Sequence, residues 1–505
     1  MKTLKKRLLL LFILGFPIFF PLRSLISGSI PHWFDSAWGL LIALENHEKL
    51  RLVGYPGGIP GIFYGPQWYW LIALVQLFNK NPAVITAIIL FVPYFTILPF
   101  LFYKFKSMLS PLIVALLWLA YIQKYQANSV HLWHIHLAPV IFLAIIYLLI
   151  TTNWKKAKRG DAFKIFLTGF LTSSLVFIHM SFGSIMFLAT SVYIGLQLLE
   201  IVWRVKQKPL AFLVATRLLG IFVLGFVISS SPFIIFELRH NFMQIKTITY
   251  VLTQSFIYNS AVVGQVGLSP TLIWNTFVSL PTTLLQIPKQ LTLAWWLFVF
   301  FALGLSLGQN KLHFSLIQKR LLLFSFISSS LLLLSYTSSK NPIWVYHFLG
   351  AEMIFVLLLG LLALKSQIFK IFLLLWISWI SLSSFISIFT VSGADPLTFE
   401  SLAAKRFIVE SIYKDARDRP FAAFAYSSAI YTFDYDYLFK WLGRDVYHFE
   451  PKPTTDEPLV YLIIPPVPEA IKVDFINYKT PPAQYQTEKE WQIPNGTNVI
   501  KRVKK

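Results

Sequence analysis

The sequence predicts an all-α polytopic membrane bundle of about twelve transmembrane helices, followed by a small C-terminal α/β domain. Hydrophobic residues make up 56% of the 505 residues and charged residues 13%, and the mean hydropathy is +0.64. The apolar residues fall in runs of roughly twenty, the length that a helix needs to cross the hydrocarbon core of a bilayer. After residue 391, prolines, polar residues and alternating strand patterns replace these runs.

The apolar runs give the order of the predicted elements. The predicted spans are 8–26, 66–79, 82–103, 108–125, 137–151, 163–178, 181–203, 210–231, 292–308, 321–337, 343–364 and 369–390. Residues 1–391 are therefore predicted to form the transmembrane domain, with an outer loop at 27–65. Within that loop, 33–46 has the pattern of an amphipathic helix lying along the interface. Residues 392–505 are predicted to form an extracytoplasmic α/β domain, with strands at Phe421–Tyr426, Leu459–Ile464 and Asn498–Val503 and a helix at Asp434–Leu442.

The basic residues predict the orientation. The formal net charge is +22, and lysines and arginines form short runs between apolar segments, such as Lys155 to Arg159 and Lys319-Arg320. This is the positive-inside pattern of a multi-pass plasma membrane protein, and it requires no nucleic acid partner. It places the outer loop, a long 232–291 loop and all residues after 391 outside the cytoplasm.

One conflict remains in this topology. Simple alternation from an outer Asp35 puts Lys155 to Arg159 on the wrong side of the membrane. The segment 66–79 is short for a span. Either it dips into the membrane and returns, or a later segment is miscounted.

The chain has no cysteine. Disulfides, thiolate metal sites and a cysteine nucleophile are therefore excluded.

Asp35 is the first candidate for chemistry. It lies a few residues beyond the first span, between Trp33 and Trp38. A carboxylate at this membrane edge fits a general base that removes a proton from an acceptor. Its position before Ser36-Ala37 is that of an ordinary helix N-cap, which spacing alone favours, and one residue can serve both purposes.

A second motif, Gly65-Pro66-Gln67-Trp68-Tyr69-Trp70, opens the next apolar segment. Proline is common at the first turn of a helix. Trp and Tyr are typical of the membrane interface, so on composition alone this motif is an ordinary interfacial helix start.

A basic start, one span, an outer Asp-x-Ala-aromatic motif and then Gly-Pro-x-aromatic-aromatic-aromatic together resemble the GT-C glycosyltransferases. The resemblance is narrower to the bacterial family 39 relatives: protein mannosyltransferases, the lipid A aminoarabinose transferase and the RgtA/B/C/D-like group. It is best over the first ~110 residues and weaker through the bundle. Many relatives have Asp-Glu where this chain has Asp35-Ser36, so a second carboxylate cannot be transferred to this sequence.

The resemblance implies a function. Asp35 would be the catalytic base of a glycosyltransferase. The donor would be a sugar on a polyprenyl phosphate and the acceptor a lipid, glycan or protein at the outer face, with membrane lipids as surroundings. No nucleotide site is expected, and none is visible in the sequence. The resemblance names no particular cofactor. A divalent metal at His131, His134 and His136 stays an alternative, because imidazole suits zinc.

Further residues are predicted to bind substrate because they are polar, aromatic or cationic and lie on the predicted outer side. They are His32, Trp33, Tyr64, Gln67, Tyr69, Lys80, His134, His136, His179, Arg239, His240 and His347. The cations would pair with a phosphodiester, which arginine does bidentately. Lys80 could instead extend to the interface, and Arg239 could instead pair with Glu237.

The alternative function is a transporter or flippase of lipid-linked sugars, which would use the same aromatics and cations without bond chemistry. Such proteins usually contain internal repeats and interrupted midplane helices, and neither is clear here. An O-antigen polymerase or ligase is a weaker alternative, because the 232–291 loop contains only one arginine, Arg239.

Overall fold

The computed structural model of the chain is a helical bundle with a four-stranded sheet near its C-terminus. The residues that the structure describes are 22–57, 60–105, 108–110, 132–155, 157–204, 208–257, 297, 314–338, 349–391, 397, 400–428, 431–454 and 456–505. Within these, six helices are long and apolar enough to cross a membrane. They are Pro82–Lys104, His134–Thr151, Arg159–Ile178, Met180–Trp203, Pro209–Arg239 and Leu316–Ser335.

We number the helices of the bundle in chain order. They are α1 (Phe34–Asn46), α2 (Gln67–Gln76), α3 (Pro82–Lys104), α4 (Ala138–Thr151), α5 (Arg159–Ile178), α6 (Met180–Arg204), α7 (Lys208–Arg239), α8 (Met243–Ile257), α9 (Leu316–Ser338), α10 (Glu352–Lys365) and α11 (Gln367–Val391). The predicted spans at 8–26, 108–125 and 292–308 lie largely outside the described residues. The predicted 232–291 loop is wrong at its start, because α7 continues past Pro232 to Arg239 and α8 follows.

The ends of the long helices collect at two opposite ends of the bundle. One end, where the chain leaves α4 and enters α9, carries basic residues, and we call it the basic end. There, Lys155 after α4 pairs with Glu200 near the end of α6 at 3.2 Å. The buried Arg320 near the start of α9 donates to the carbonyl oxygen of Thr152 at 2.7 Å. An arginine at this position satisfies carbonyl groups that the end of α4 leaves without an intrahelical partner.

The position of helix α2 favours one of the two explanations for the conflict in the predicted topology. It has only ten residues, and both of its ends face the end of the bundle opposite the basic end. Gln67 donates to the carbonyl oxygen of Ser229 late in α7 at 2.8 Å, and Gln76 donates to that of Leu40 in α1 at 3.0 Å. The two ends of this segment therefore lie at the same end of the bundle, as expected for a segment that dips into the membrane and returns. We call this opposite end the loop end.

Helices α5 and α7 pack with their backbones in close contact. A Cβ atom added at Gly169 would lie 2.1 Å from the carbonyl oxygen of Phe222, and one at Gly225 would lie 2.1 Å from that of Phe166. One turn further on, the hydroxyls of Ser173 and Ser230 are 2.8 Å apart. Small residues that let backbones approach, with hydroxyls hydrogen-bonded across the interface, are typical of membrane helix pairs.

Gly225→Val is expected to destabilise the protein by about 1–3 kcal/mol or more, because the helices must separate to admit the side chain. Thermal unfolding of the purified chain in detergent measures the effect. Gly220→Val in the same helix is the matched control, because nothing lies within 4 Å of a Cβ atom there. An equal shift for both variants would contradict close packing at Gly225.

The last hundred residues form an α/β unit that confirms the predicted C-terminal sheet. Its elements are α12 (Leu402–Ala416), β1 (Ala422–Ala425), α13 (Phe433–Leu442), β2 (Leu459–Ile464), α14 (Glu469–Lys479), β3 (Tyr485–Gln492) and β4 (Asn498–Lys504). The strand order is β1-β2-β4-β3, with β1 parallel to β2 and the other pairs antiparallel. The strand β3 was not predicted, because six of its eight side chains are exposed and it lacks an apolar alternation.

This unit packs on the segment that precedes and includes α1. The amide groups of Leu402 and Ala403 donate to the carbonyl oxygens of Ile30 and Gly28. Lys405 is 4% exposed, and its ammonium donates to the carbonyl oxygen of His32 at 3.0 Å and to the Asp434 carboxylate. Buried donors and acceptors that satisfy one another hold the two parts in one orientation.

Candidate active site at the loop end

The outer loop is built from α1 and a hairpin at 54–64. The hairpin is closed by amide to carbonyl hydrogen bonds from Gly54 to Tyr64 at 2.7 Å and from Tyr64 to Tyr55 at 3.1 Å. Gly61 has φ +84°, a backbone conformation that glycine adopts without cost. The amide of Phe63 donates to Gln244 Oε1 at 2.7 Å, which ties the hairpin to α8.

Asp35 lies in the first turn of α1 and is half-buried. The N-cap residue is Trp33, and no side chain caps the helix, so the predicted capping role of Asp35 is wrong. Within the described residues its carboxylate has no hydrogen bond and no ion pair. Burial raises the pKa of Asp35 above its usual value. A partly desolvated carboxylate without a partner is a stronger base than an exposed one.

Trp38 lies one helical turn after Asp35 and belongs to a row of stacked rings. Its indole ring is 4.6 Å from the ring of Tyr55 and 5.1 Å from that of Phe433, both stacked. Phe433 in turn stacks on Tyr431 at 5.1 Å. The row therefore runs from the hairpin, over α1, to the C-terminal α/β unit, and Tyr431 at its end is 54% exposed.

A second aromatic group surrounds the buried ring of His134. The Tyr64 and Trp68 rings lie 4.9 Å and 6.2 Å from the His134 ring. Trp133 packs edge-on at 6.0 Å, and the Tyr55 hydroxyl is 3.3 Å from Nδ1 of His134. The predicted residues Tyr64 and His134 are thus in contact with each other.

Tyr55 connects the two aromatic groups to Asp35. Burial, the neighbouring Tyr64 and the negative charge of Asp35 raise the pKa of the Tyr55 phenol above its usual range. A carboxylate, a phenol and an imidazole thus lie within electrostatic reach in a mainly aromatic surrounding. Such a group can accept a proton and can bind a sugar ring by packing and hydrogen bonding.

Two of the predicted binding residues hold the C-terminal unit instead of facing this group. Lys80 pairs with Asp445 at 2.6 Å. His32 is 2% exposed, and its Nε2 lies 3.2 Å from the carbonyl oxygen of Asp434. Burial and the charge of Lys405 lower the pKa of His32 to about 4, so the imidazole is neutral at pH 7.

Other predicted residues take part in helix contacts near the group. Tyr69 is 1% exposed and packs against Tyr55. Gln67 donates to the carbonyl oxygen of Ser229 in α7, about one turn before Pro232. His136 is buried, and its carbonyl oxygen accepts from the Tyr94 hydroxyl at 2.5 Å.

His179 joins α5 to α6. It ends α5 with φ −140°, and its ring is buried against Phe182. Its Nδ1 lies 3.3 Å from the Ser181 hydroxyl. The side chain therefore belongs to the turn at the loop end.

Arg239 and His240 lie at the loop end beside the hairpin. The ring of His240 stacks on Phe236 at 4.1 Å, and Phe236 contacts Phe63 at 5.8 Å. The expected pairing of Arg239 with Glu237 is wrong, because that carboxylate accepts from the amides of Gln244 and Ile245. Arg239 is exposed. Trp33 is 44% exposed, and His347 lies outside the described residues.

The sequence did not identify Tyr55, Phe433 or Tyr431 as site residues. Tyr55 lies in a loop without a motif, and the other two are about 400 residues distant from Asp35 along the chain. The only feature of the sequence that could have indicated these three residues is that they are aromatic side chains in polar segments.

No group of three His, Asp or Glu side chains with metal-binding geometry was found among the residues that the structure describes. His131 is not one of those residues, so the predicted His131, His134 and His136 set remains a prediction.

The bundle, helix α1 and the C-terminal α/β unit together have a GT-C fold. The resemblance stated from the sequence motifs is confirmed at the level of the fold.

The chain is similar in structure to the crystal structure of ArnT from Cupriavidus metallidurans bound to undecaprenyl phosphate. The TM-score is 0.58 at 9% sequence identity, over 97% of this chain and 97% of that chain. The apo state of the same ArnT gives a TM-score of 0.51 at 10% identity, over 96% and 98% of the two chains. No family model and no curated protein matches the sequence.

Proposed function

We propose that this protein is a membrane glycosyltransferase that moves a sugar from a polyprenyl-phosphate carrier to an acceptor, with Asp35 as general base. The observation that carries the proposal is the half-buried carboxylate of Asp35, which has no partner in the described residues and lies beside an aromatic group in a GT-C fold. The similar ArnT structure holds undecaprenyl phosphate, which supports a polyprenyl phosphate as the carrier.

In this mechanism Asp35 removes the proton from an acceptor hydroxyl or amine. The acceptor atom then forms a bond to the anomeric carbon while the bond from that carbon to the phosphate oxygen breaks. The bonding electrons leave with polyprenyl phosphate, and the proton passes from Asp35 to water. Attack opposite the leaving group inverts the anomeric carbon. A raised pKa brings the base closer to the pH at which it works, which increases its efficiency.

The departing phosphate needs a cation. Arg239 is exposed at the loop end and has no acidic partner in the described part of the chain, whereas Lys80 is paired with Asp445. We therefore favour Arg239 over Lys80, with His240 beside it. A guanidinium can hold two phosphate oxygens at once, and fixed charges act most strongly on charge that develops during the reaction.

The rings of Trp38, Tyr55 and Tyr64 are half-buried. We assign them to the walls that orient the sugar and the acceptor, because large flat rings bind with little loss of side-chain freedom. Asp35 and the α/β unit would face the outside of the plasma membrane, since the opposite end of the bundle is basic. We propose as well that the chain crosses the membrane about twelve times.

The experiment is a transfer assay on the purified full chain in detergent, with a radiolabelled polyprenyl-phosphate sugar as donor. A glycosyltransferase releases polyprenyl phosphate in an amount equal to the sugar transferred. A transporter or flippase, the second candidate, moves the intact donor across proteoliposomes and releases none. Movement without release would overturn the proposal.

A further inference from the structure

The C-terminal α/β unit contains a groove that is separate from the residues around Asp35. Its volume is about 840 Å³, and it lies between the C-terminal half of α12 and strands β3 and β4. Nine residues line it in the described part of the unit: Phe407, Glu410, Ser411, Lys414, Asp415, Arg417, Arg419, Lys489 and Lys501.

One acid in the groove is fully engaged by its neighbours. Asp415 accepts from the Tyr461 hydroxyl at 2.7 Å and pairs with Lys489 and Lys501 at 3.0 Å each. Burial opposes ionisation, but hydrogen bonds from Tyr461, Lys501 and Lys489 lower the pKa of Asp415 to about 2. The carboxylate is therefore ionised at neutral pH, and the ammonium groups of Lys489 and Lys501 balance its charge.

The other acid, Glu410, pairs with Arg406 at 2.7 Å. Three cations on the groove wall then remain without an acidic partner in the described residues: Lys414, Arg417 and Arg419. The Arg419 Nε donates to the carbonyl oxygen of Ala416 at 3.1 Å, which fixes the guanidinium.

This local excess of positive charge is not a property of the whole unit. Residues 400–505 contain fifteen Lys and Arg against fourteen Asp and Glu. Three cations without an ion pair in the described residues thus give this wall a local excess of positive charge. Two of them are arginines, whose planar guanidinium can donate two hydrogen bonds to the oxygens of one phosphate or carboxylate.

Helix α12 sets the distance between this groove and the candidate active site. Lys405, near its start, contacts His32 in the segment that leads into Asp35. Asp415 in the groove follows ten residues later, about 15 Å along the helix axis. A ligand that occupies both places must therefore extend over at least this distance.

We propose that the groove binds a phosphate group of a glycan acceptor whose reacting end lies near Asp35. This inference rests on the proposed glycosyltransferase function and names the class of its acceptor. Only Phe407 among the lining side chains is apolar, and it is 45% exposed. The surface therefore suits a hydrophilic phosphorylated glycan, with one ring on which a sugar can pack, and it does not suit acyl chains.

The test uses the full chain in a non-ionic detergent with fluorescently labelled maltohexaose 6-phosphate as the probe and unphosphorylated maltohexaose as its matched ligand. We expect the phosphorylated probe to bind at least tenfold more tightly. Arg417→Gln combined with Arg419→Gln should remove that difference. The control, Lys479→Gln combined with Lys504→Gln, removes the same charge outside the groove and should leave it unchanged.

Three outcomes overturn the proposal: equal binding of the two probes, equal loss in the control variant, or displacement by inorganic phosphate at the probe's own concentration, which indicates a simple anion site. Asp35→Asn should retain probe binding, so the groove is tested independently of catalysis. If wild-type protein transfers sugar and the groove variant binds the probe normally, the groove proposal fails and the proposed function stands. If the probe binds as expected and no sugar is transferred, the glycosyltransferase proposal fails.

Discussion

Asp35→Asn is expected to lower the rate of sugar transfer by about 10²–10⁴-fold, because the amide cannot accept the acceptor proton. The folded protein should lose no stability. Burial raises the pKa of Asp35, so above its ordinary pKa the folded state is disfavoured by ionisation of this group, and asparagine removes that cost. We therefore expect the unfolding temperature at pH 7 to stay the same or rise. Transfer rate and thermal unfolding, measured on one preparation, check both parts.

The pH profile gives an independent readout. Because the pKa of Asp35 is raised, the activity of the wild type should fall, as the pH decreases, at a higher pH than the value near 4 of an exposed carboxyl group. Glu45→Gln is the control, since Glu45 lies at the exposed end of the same helix in an ion pair with Arg51. Turnover that survives in Asp35→Asn, or an equal loss in Glu45→Gln, would remove Asp35 as the base.

Lys405→Met is expected to weaken the attachment of the C-terminal unit to the outer loop by about 3–5 kcal/mol. The substitution leaves the Asp434 carboxylate, which is 14% exposed, and the carbonyl oxygen of His32 without their donor. Breaking a buried ion pair from one side costs this much because the remaining charge is uncompensated. Hydrogen exchange of the full chain in detergent should increase by 10²-fold or more at the amides of Leu402 and Ala403.

Lys440→Met is the matched control, since Lys440 lies in the last turn of α13 on the same unit and makes no ion pair in the described residues. It should leave this exchange unchanged. If the amides of Lys405→Met exchange like those of the wild type, the backbone hydrogen bonds to Ile30 and Gly28 suffice for the attachment. The ion pair between Lys405 and Asp434 then does not stabilise it.

Much of the fold followed from patterns that are local in the chain. Runs of apolar residues gave the positions of the described apolar helices. Inside a membrane the backbone must form its hydrogen bonds within one continuous helix, so each such helix is a single uninterrupted apolar run. The strand at Leu459–Ile464 was predicted at its observed bounds, because all six side chains are buried. The strand Tyr485–Gln492 was missed because its charged, exposed side chains contain no such signal. Segment 66–79 was ambiguous because its length alone does not say whether it crosses.

The candidate site was predictable only in part. Asp35, Tyr64 and His134 carry motifs or lie in short polar loops, and the structure places them at the same end of the bundle. Lys80 and His32 were predicted to face substrate on equally good local grounds. The structure pairs them with Asp445 and Asp434, more than 350 positions further along the chain. Sequence reasoning could not foresee those partners.

The sequence by itself determined that this chain is a helical protein with several apolar spans, and it singled out the loop that contains Asp35. Hydrophobic length and the residues around Asp35 are local properties of the chain, which a single sequence shows directly. Only the tertiary structure decided which cations remain available and which rings stand beside Asp35. Those properties depend on long-range packing between the outer loop and the C-terminal unit, where a charge is either neutralised by a distant partner or left for a ligand.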